Sequence, residues 1–350
     1  MPPDAIKTVV VCEAQVPFIR GGAEALSREL VREFRERGYD TELVSLPFKW
    51  YPQQEVLPHA AMWRLLDLSE STGRPIDLLV GTKFPTYFAR HPRKVTWLVH
   101  QHRAAYELVN TPYSDFTHAE FDVALRDRLV TLDTEMLGEC RGLFSISATI
   151  SQRLQRYNGL TATPLYHPPR LAARLKGGPA QNYMLSVGRL EAVKRVDLTI
   201  RAMSHVPASV SLIIAGTGTH RDALQALADS LGLGPRVRFL GEVSDEDIIT
   251  LYAGALGVVF APFDEDYGYI TLEAFLSHKP IVTTTDAGGP NEFVTDGQNG
   301  FVTAPDPQAL GHAIRTLDAD RRASARMGDE GYDLARGITW AGVIDRLTGA

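Results

Sequence analysis

Cysteine is nearly absent. Cys12 and Cys140 are the only two among 350 residues, too few and too far apart for a metal cluster or a disulfide scaffold, and both read as free buried thiols. Long apolar runs are missing as well: none approaches the ~20 residues that span a bilayer. The N-terminus shows no basic stretch leading into an apolar core, so no secretory signal is expected. A cytoplasmic protein is the resulting expectation, with peripheral membrane contact still compatible. A basic excess is lacking too. Residues 1–170 hold 20 basic and 20 acidic side chains, which leaves 16 of the 36 basic and 22 of the 42 acidic ones for residues 171–350. Neither half has the charge balance of a nucleic-acid binder. One local basic stretch, Lys83, Arg90, Arg93, Lys94 and Arg103 with His91, His100 and His102 interleaved, reads as a solvated loop or sheet edge.

What is there is an ordinary soluble composition, 44% apolar and 22% charged, in a chain long enough for two domains. Lys7 to Glu13 is a β-branched run that reads as a buried parallel strand. Arg20-Gly21-Gly22 follows, then a helix from Ala23 to Arg37 with Leu26, Leu30, Val31 and Phe34 on one face and Gly38 at its end. Strands are expected at Thr41–Leu46, Asp77–Gly81, Val95–His100 and Gly142–Ser147, with a helix at Asp122–Leu137. The periodicity fails around Pro164, Pro168 and Pro169 and through Lys176-Gly177-Gly178-Pro179, which reads as a linker. It then restarts with strands at Tyr183–Val187, Val210–Ala215, Val237–Leu240, Leu256–Phe260 and Ile281–Thr284. The intervening helices are expected at Asp197–Met203, at Arg221–Leu231 and after the Ser244 cap. Alternation of this kind implies βαβ units and parallel sheets. The expected division is 1–170, 171–335 and a C-terminal segment 336–350 in which Trp340 packs back on the first domain.

Between Pro262 and Gly300 the chain reads PFDEDYGYITLEAFLSHKPIVTTTDAGGPNEFVTDGQNG. Glu265 falls in a loop after a strand, and Glu273 in the first turn of a short buried helix. The first N–H groups of such a helix have no internal partner and carry partial positive charge, so an anion such as a diphosphate suits them, and Gly268 would let it approach. Carboxylates accept hydrogen bonds from sugar hydroxyls and repel phosphate. The competing reading is an acid that merely favours a helix start and a solvated loop charge. Elsewhere Arg189 and Lys194 follow the strand Tyr183–Val187, Gly216-Thr217-Gly218 follows Val210–Ala215, and Gly21-Gly22 stands between a strand and a helix, where its amides can face an anion or a sugar ring. The Gly216 turn lacks the third glycine of a dinucleotide fingerprint, which disfavours a hydride-transferring dehydrogenase.

Glu265 and Glu273 with Tyr267-Gly268-Tyr269 between them resemble the E-x7-E signature of retaining glycosyltransferases of family 4, which have the GT-B architecture. The chain departs from it in having Asp266 after the first glutamate. Gly188-Arg189-Leu190 followed by Lys194 is similar to the opening of that family's second domain, except that Arg195 stands where the family usually has glycine. Ala215-Gly216-Thr217-Gly218, Phe239-Leu240-Gly241 and Gly288-Gly289-Pro290-Asn291-Glu292 match further family positions in order, as do Gly21-Gly22 and His100 in the first half.

The resemblance implies two facing Rossmann-like domains with a cleft between them. It implies a retaining, metal-independent glycosyltransferase that moves a sugar from a nucleotide sugar to a hydroxyl of a glycan, lipid-linked or small-molecule acceptor, in glycan or glycoconjugate biosynthesis. No cofactor is expected beyond the donor. Arg189 and Lys194 would hold the leaving diphosphate, Glu265 the donor sugar and Glu273 the ribose, with His100 near the donor sugar. Gly21, Gly22, Gly216, Gly218, Leu240, Gly268, Tyr269, Ile270 and Thr271 would line the donor. Asp264-Glu265-Asp266 superficially resembles a metal-binding D-x-D, but Arg189 and Lys194 supply the positive charge instead. The rival readings are a nucleotide-sugar epimerase on the same fold and a sugar-binding protein without catalysis. Tyr106, Tyr113, Phe116 and Phe121 are candidates to stack on an acceptor sugar, with core packing as the other reading.

Overall fold

A computed structural model describes residues 6–18 and 21–349. Arg20, which leads into the first glycine turn, lies outside them. The chain forms two compact units, one of Met1–His167 with Thr339–Ala350, the other of Pro168–Ile338.

The first unit is built on strands β1 (Thr8–Gln15), β2 (Asp40–Pro47), a short antiparallel hairpin of β3 (Glu70–Ser71) and β4 (Arg74–Pro75), then β5 (Leu78–Gly81), β6 (Lys94–Leu98), β7 (Gly142–Ser145) and β8 (Thr163–Pro164). Six of these make one parallel sheet in the order β2-β1-β5-β6-β7-β8. Strand β1 is buried from Val9 to Ala14, as a strand covered on both faces requires. The helix Gly22–Glu36 lays Leu26, Leu30, Val31 and Phe34 inward, and Gly38 ends it at a φ of 87°. The last helix, Trp340–Thr348, belongs to this unit: the Trp340 ring stands edge-on to Trp97 at 5.8 Å and lies 5.5 Å from His167.

The second unit repeats the plan with β9 (Tyr183–Val187), β10 (Ser211–Ala215), β11 (Val237–Gly241), β12 (Gly257–Val259), β13 (Ile281–Thr284) and β14 (Gly300–Thr303). All six are parallel, in the order β11-β10-β9-β12-β13-β14. Met184, Leu212, Ile214, Val259 and Val282 from the sheet meet Ile200, Leu224, Leu310 and Ile314 from the helices in one core. The proline-rich linker is strapped to this unit. Arg170 makes a two-pronged pair with Asp245 (2.7 and 2.5 Å), and Lys279 Nζ donates to the Gly178 carbonyl at 2.7 Å.

Among the elements without a counterpart in the sequence pattern are two helices and an edge strand. The helix Val56–Leu65 contains Pro58, and its sequence VLPHAAMWRL is apolar on most sides, with Met62 and Leu65 exposed, so its pattern has no polar face to define a period. The helix Ala148–Asn158 has a Ser147 cap accepting from the Ile150 amide at 3.2 Å and ends at Gly159 with φ 68°. Strand β14 is four residues at a sheet edge.

The basic stretch is not a solvated loop. Lys83 is buried and donates to Glu24 at 2.6 Å, and Lys94 is buried with its ammonium on the Tyr87 and Met136 carbonyls. Cys12 is fully buried, but Cys140 only partly so. Among the described residues no helix is long and apolar enough to cross a membrane.

Candidate functional site

Strand order gives the second sheet a switch point. The chain starts at β9, builds outward through β10 to β11, then returns to lay β12, β13 and β14 on the other side of β9. In such sheets ligands bind outside the carboxyl ends of the strands where the order reverses. The segments Gly188–Lys194 and Pro262–Tyr269 follow β9 and β12 and so flank that point.

The glycines after β10 are there for close backbone approach. Gly216 has φ 137°, and a Cβ on it would lie 1.9 Å from the Gly188 carbonyl oxygen; one on Gly218 would lie 2.5 Å from the Leu190 backbone. That proximity lets three strand ends knit together. Gly188 N–H donates to Ala215 (3.0 Å), Leu190 N–H to Thr217 (2.8 Å) and Gly216 N–H to Gly241 (2.8 Å). Arg189 is therefore carried on a fixed loop. Its side chain is exposed and makes no hydrogen bond or ion pair among the described residues. Leu240 is half-buried beside this junction.

Glu265 is held by its backbone. Its N–H donates to the Ala287 carbonyl at 2.8 Å and its carbonyl accepts from Gly289 at 2.7 Å. Any side chain at Gly288 would strike it, with a Cβ 2.6 Å from the Glu265 oxygen. The Gly288-Gly289 turn thus exists to seat the glutamate loop. The Glu265 carboxylate in turn accepts from Lys194 Nζ, and both side chains are less than one-fifth exposed.

The helix Tyr269–Leu276 starts at Gly268, whose φ is 81°. A Cβ there would meet the Pro290 ring at 2.8 Å, so packing and backbone geometry by themselves demand this glycine. Tyr269 and Ile270 open the helix, the Thr271 N–H turns back to Gly268 at 3.0 Å, and the buried Thr271 hydroxyl has no hydrogen-bond partner among the described residues. Glu273 stands fifth in this helix rather than in its first turn, and accepts from the buried Tyr252 hydroxyl at 2.7 Å. Burial raises the Glu273 carboxyl above its ordinary range, and the Tyr252 bond offsets only part of that rise. Tyr252 was not among the sequence candidates. The Ser244 cap, which accepts from the Asp247 amide at 3.1 Å, announces its helix, but its partner lies on another element.

Arg195 takes the left-handed backbone that a glycine would take there, with φ 49° and ψ 41°. For a residue with a side chain that costs roughly 1–2 kcal/mol. Its guanidinium is engaged on every side: Nε to the Ala261 carbonyl (2.9 Å), Nη2 to the Pro262 carbonyl (2.6 Å) and Thr284 Oγ1 (2.9 Å), and a fork onto Asp286 (2.8 and 2.7 Å). Burial pushes the Asp286 carboxyl up, but the Arg195 and Thr284 bonds outweigh it and hold the group below the usual carboxylate range.

The first-unit candidates also stand at carboxyl ends of strands. The Gly21 N–H is taken by the Glu24 carboxylate at 2.9 Å, the same side chain that pairs with Lys83, so that amide is occupied rather than turned to an anion. Gly22 begins the helix. His100 follows β6, half-buried, with Nδ1 2.7 Å from the Gln101 carbonyl. The structure separates its neighbours: His102 is buried among Phe48, Phe84 and Phe116, where burial pushes it down to about 4, and Arg103 bonds Glu107 at 2.5 Å. Tyr106 and Phe116 are core residues, while Phe121 is exposed.

Residues 173–334, which lie in the second unit, match the family model described as Glycosyl transferases group 1. A curated relative, the D-inositol 3-phosphate glycosyltransferase of Nocardia farcinica, is 29% identical over 239 residues, 64% of this chain and 52% of the relative. A glycogen synthase of Mycobacterium tuberculosis is 32% identical over 204 residues, 57% and 47% of the two chains. The chain thus spans about half the length of the curated relatives it matches. Among solved structures, sucrose-phosphate synthase from Thermosynechococcus elongatus superposes with a TM-score of 0.77 at 16% identity, covering 96% of both chains. HepE from Anabaena, in complex with UDP and glucose, does so at 0.71 and 20%, covering 98% of both. The fold is that of the GT-B glycosyltransferases.

Proposed function

We propose, from the premise that residues 173–334 form a glycosyl transferases group 1 domain, that this chain is a retaining, metal-independent glycosyltransferase of family 4 type, working in the cytoplasm on glycan or glycoconjugate synthesis. One observation carries the reading: Arg189, Lys194, Glu265 and the start of the helix bearing Glu273 surround the switch point of one parallel sheet. Two cations and a helix start suit a diphosphate, and two carboxylates suit sugar hydroxyls.

In this mechanism the bond between the anomeric carbon and the diphosphate oxygen breaks while the acceptor hydroxyl oxygen bonds to the same face of that carbon. The hydroxyl proton passes to the departing phosphate oxygen. Arg189 and Lys194 stabilise the charge that builds there, with amides at Tyr269 and Ile270 assisting. Lys194 must leave Glu265 to do so, which frees the Glu265 carboxylate for the donor sugar. Glu273 takes the ribose, and Gly216, Gly218 and Leu240 border the nucleoside. The first unit takes the acceptor, with Gly22 and His100 as its candidate residues.

A thermal-shift series over nucleoside diphosphates tests the donor side, with UDP first because the HepE structure holds it. A cognate nucleotide at 100 times its Kd is expected to add about 2.7 kcal/mol of stability. Proton NMR of the product then reads the anomeric configuration. No stabilisation by any nucleoside diphosphate, or an inverted product, would overturn the proposal.

A further inference from the structure

Arg195 occupies the joint between the two halves of the candidate donor site. Its backbone follows Lys194 directly, and its side chain reaches the carboxyl end of β12 through Ala261 and Pro262, the end of β13 through Thr284, and the loop beyond through Asp286. The backbone reinforces the same joint: Phe263 N–H donates to Val193 at 2.8 Å and Asp264 N–H to the Asp286 carbonyl at 2.9 Å. An arginine in left-handed backbone with every nitrogen engaged is an investment that a glycine turn would not need.

We propose that Arg195 is a positioning residue that fixes the backbone carrying Lys194 to the loop carrying Glu265, so that both side chains reach the donor in register. The assignment rests on the glycosyltransferase reading above. Lysine cannot replace it, since a single ammonium cannot serve a carboxylate fork and two carbonyls in one plane.

A double-mutant cycle on kcat/KM tests it. Arg195→Gly keeps the left-handed backbone without strain and removes the side chain with its guanidinium. It is expected to lower kcat/KM by ~10-fold to ~10²-fold in the otherwise unchanged chain, but by less than about threefold in a Lys194→Ala background, because its effect runs through Lys194. Arg195→Lys should resemble Arg195→Gly rather than the parent. Should Arg195→Gly fail to fold, Asp286→Asn loosens the same fork from its other side, and its cycle with Lys194→Ala should show the same non-additivity at smaller size. Equal fold losses in both backgrounds, or full activity of Arg195→Gly, would overturn the assignment while leaving the transferase reading standing. Absence of transfer by the parent chain with every nucleotide sugar would overturn both.

Discussion

Lys194 Nζ donates to the carboxylate of Glu265, joining the loop after β9 to the loop after β12. The two side chains that the proposed mechanism assigns to phosphate and to sugar satisfy one another in the structure. Donor binding is therefore an exchange of partners rather than the filling of an open charge.

Breaking that pair separates stability from transfer. Lys194→Ala is expected to cut transfer by at least ~10²-fold, as loss of one transition-state donor does. It should also cost about 1–2 kcal/mol of stability, between the values for exposed and buried pairs. Adding Glu265→Ala should restore much of the melting temperature but none of the transfer. Steady-state kinetics and calorimetry on the three variants check this.

Glu273 and Tyr252 give a pH signature. The Glu273 carboxyl already sits above its ordinary range because of burial, and the Tyr252 hydroxyl pulls it back down. In Tyr252→Phe the carboxyl rises further, so donor binding by the carboxylate form is lost at a higher pH as the solution is acidified. The acid limb of kcat/KM should move upward in pH with the alkaline limb fixed. Glu273→Ala should lose at least ~10²-fold in transfer.

The Gly216 turn is a steric prediction. Gly216→Ala places a Cβ against the Gly188 carbonyl at 1.9 Å as well as straining φ, and should cost at least about 3 kcal/mol. Gly241→Ala meets open space at φ 72° and should cost only the roughly 1–2 kcal/mol of its backbone. Denaturant melts of the two variants compare them directly.

Asp133 in the first unit controls a slope of stability with pH. Burial pushes its carboxyl up to about 7, against the bonds from Tyr106 and Gln101, whereas the unfolded chain titrates near the ordinary value of 3.8. The native state holds the extra proton between those values, so this group's contribution falls as pH rises from about 4 to 7. Asp133→Asn should flatten that slope and gain stability over the parent above pH 7. Melts at pH 5 and pH 8 measure the difference, and an unchanged slope would remove Asp133 from this role.

The strands of the second unit were legible because buried parallel strands are short apolar or β-branched runs set between turn-forming residues: the expected Tyr183–Val187 and Ile281–Thr284 are β9 and β13 to the residue. The helix Val56–Leu65 was not, because Pro58 and apolar residues on most of its sides leave no period to read. Lys83 and Lys94 were misread as solvated, since a sequence states charge but not whether Glu24 or a buried carbonyl waits for it.

By itself the sequence determined which segments end strands and begin helices, and hence that Arg189, Lys194 and Glu265 fall at such junctions and that Glu273 lies on the helix beyond one, because local periodicity and turn chemistry are written in neighbouring residues. Only the tertiary structure decided that Lys194 faces Glu265, that Tyr252 meets Glu273, and that Arg195 reaches Thr284 and Asp286. Those contacts join residues 21 to 91 positions apart, and only parallel strand order, with its crossover helices, brings such distant carboxyl ends side by side.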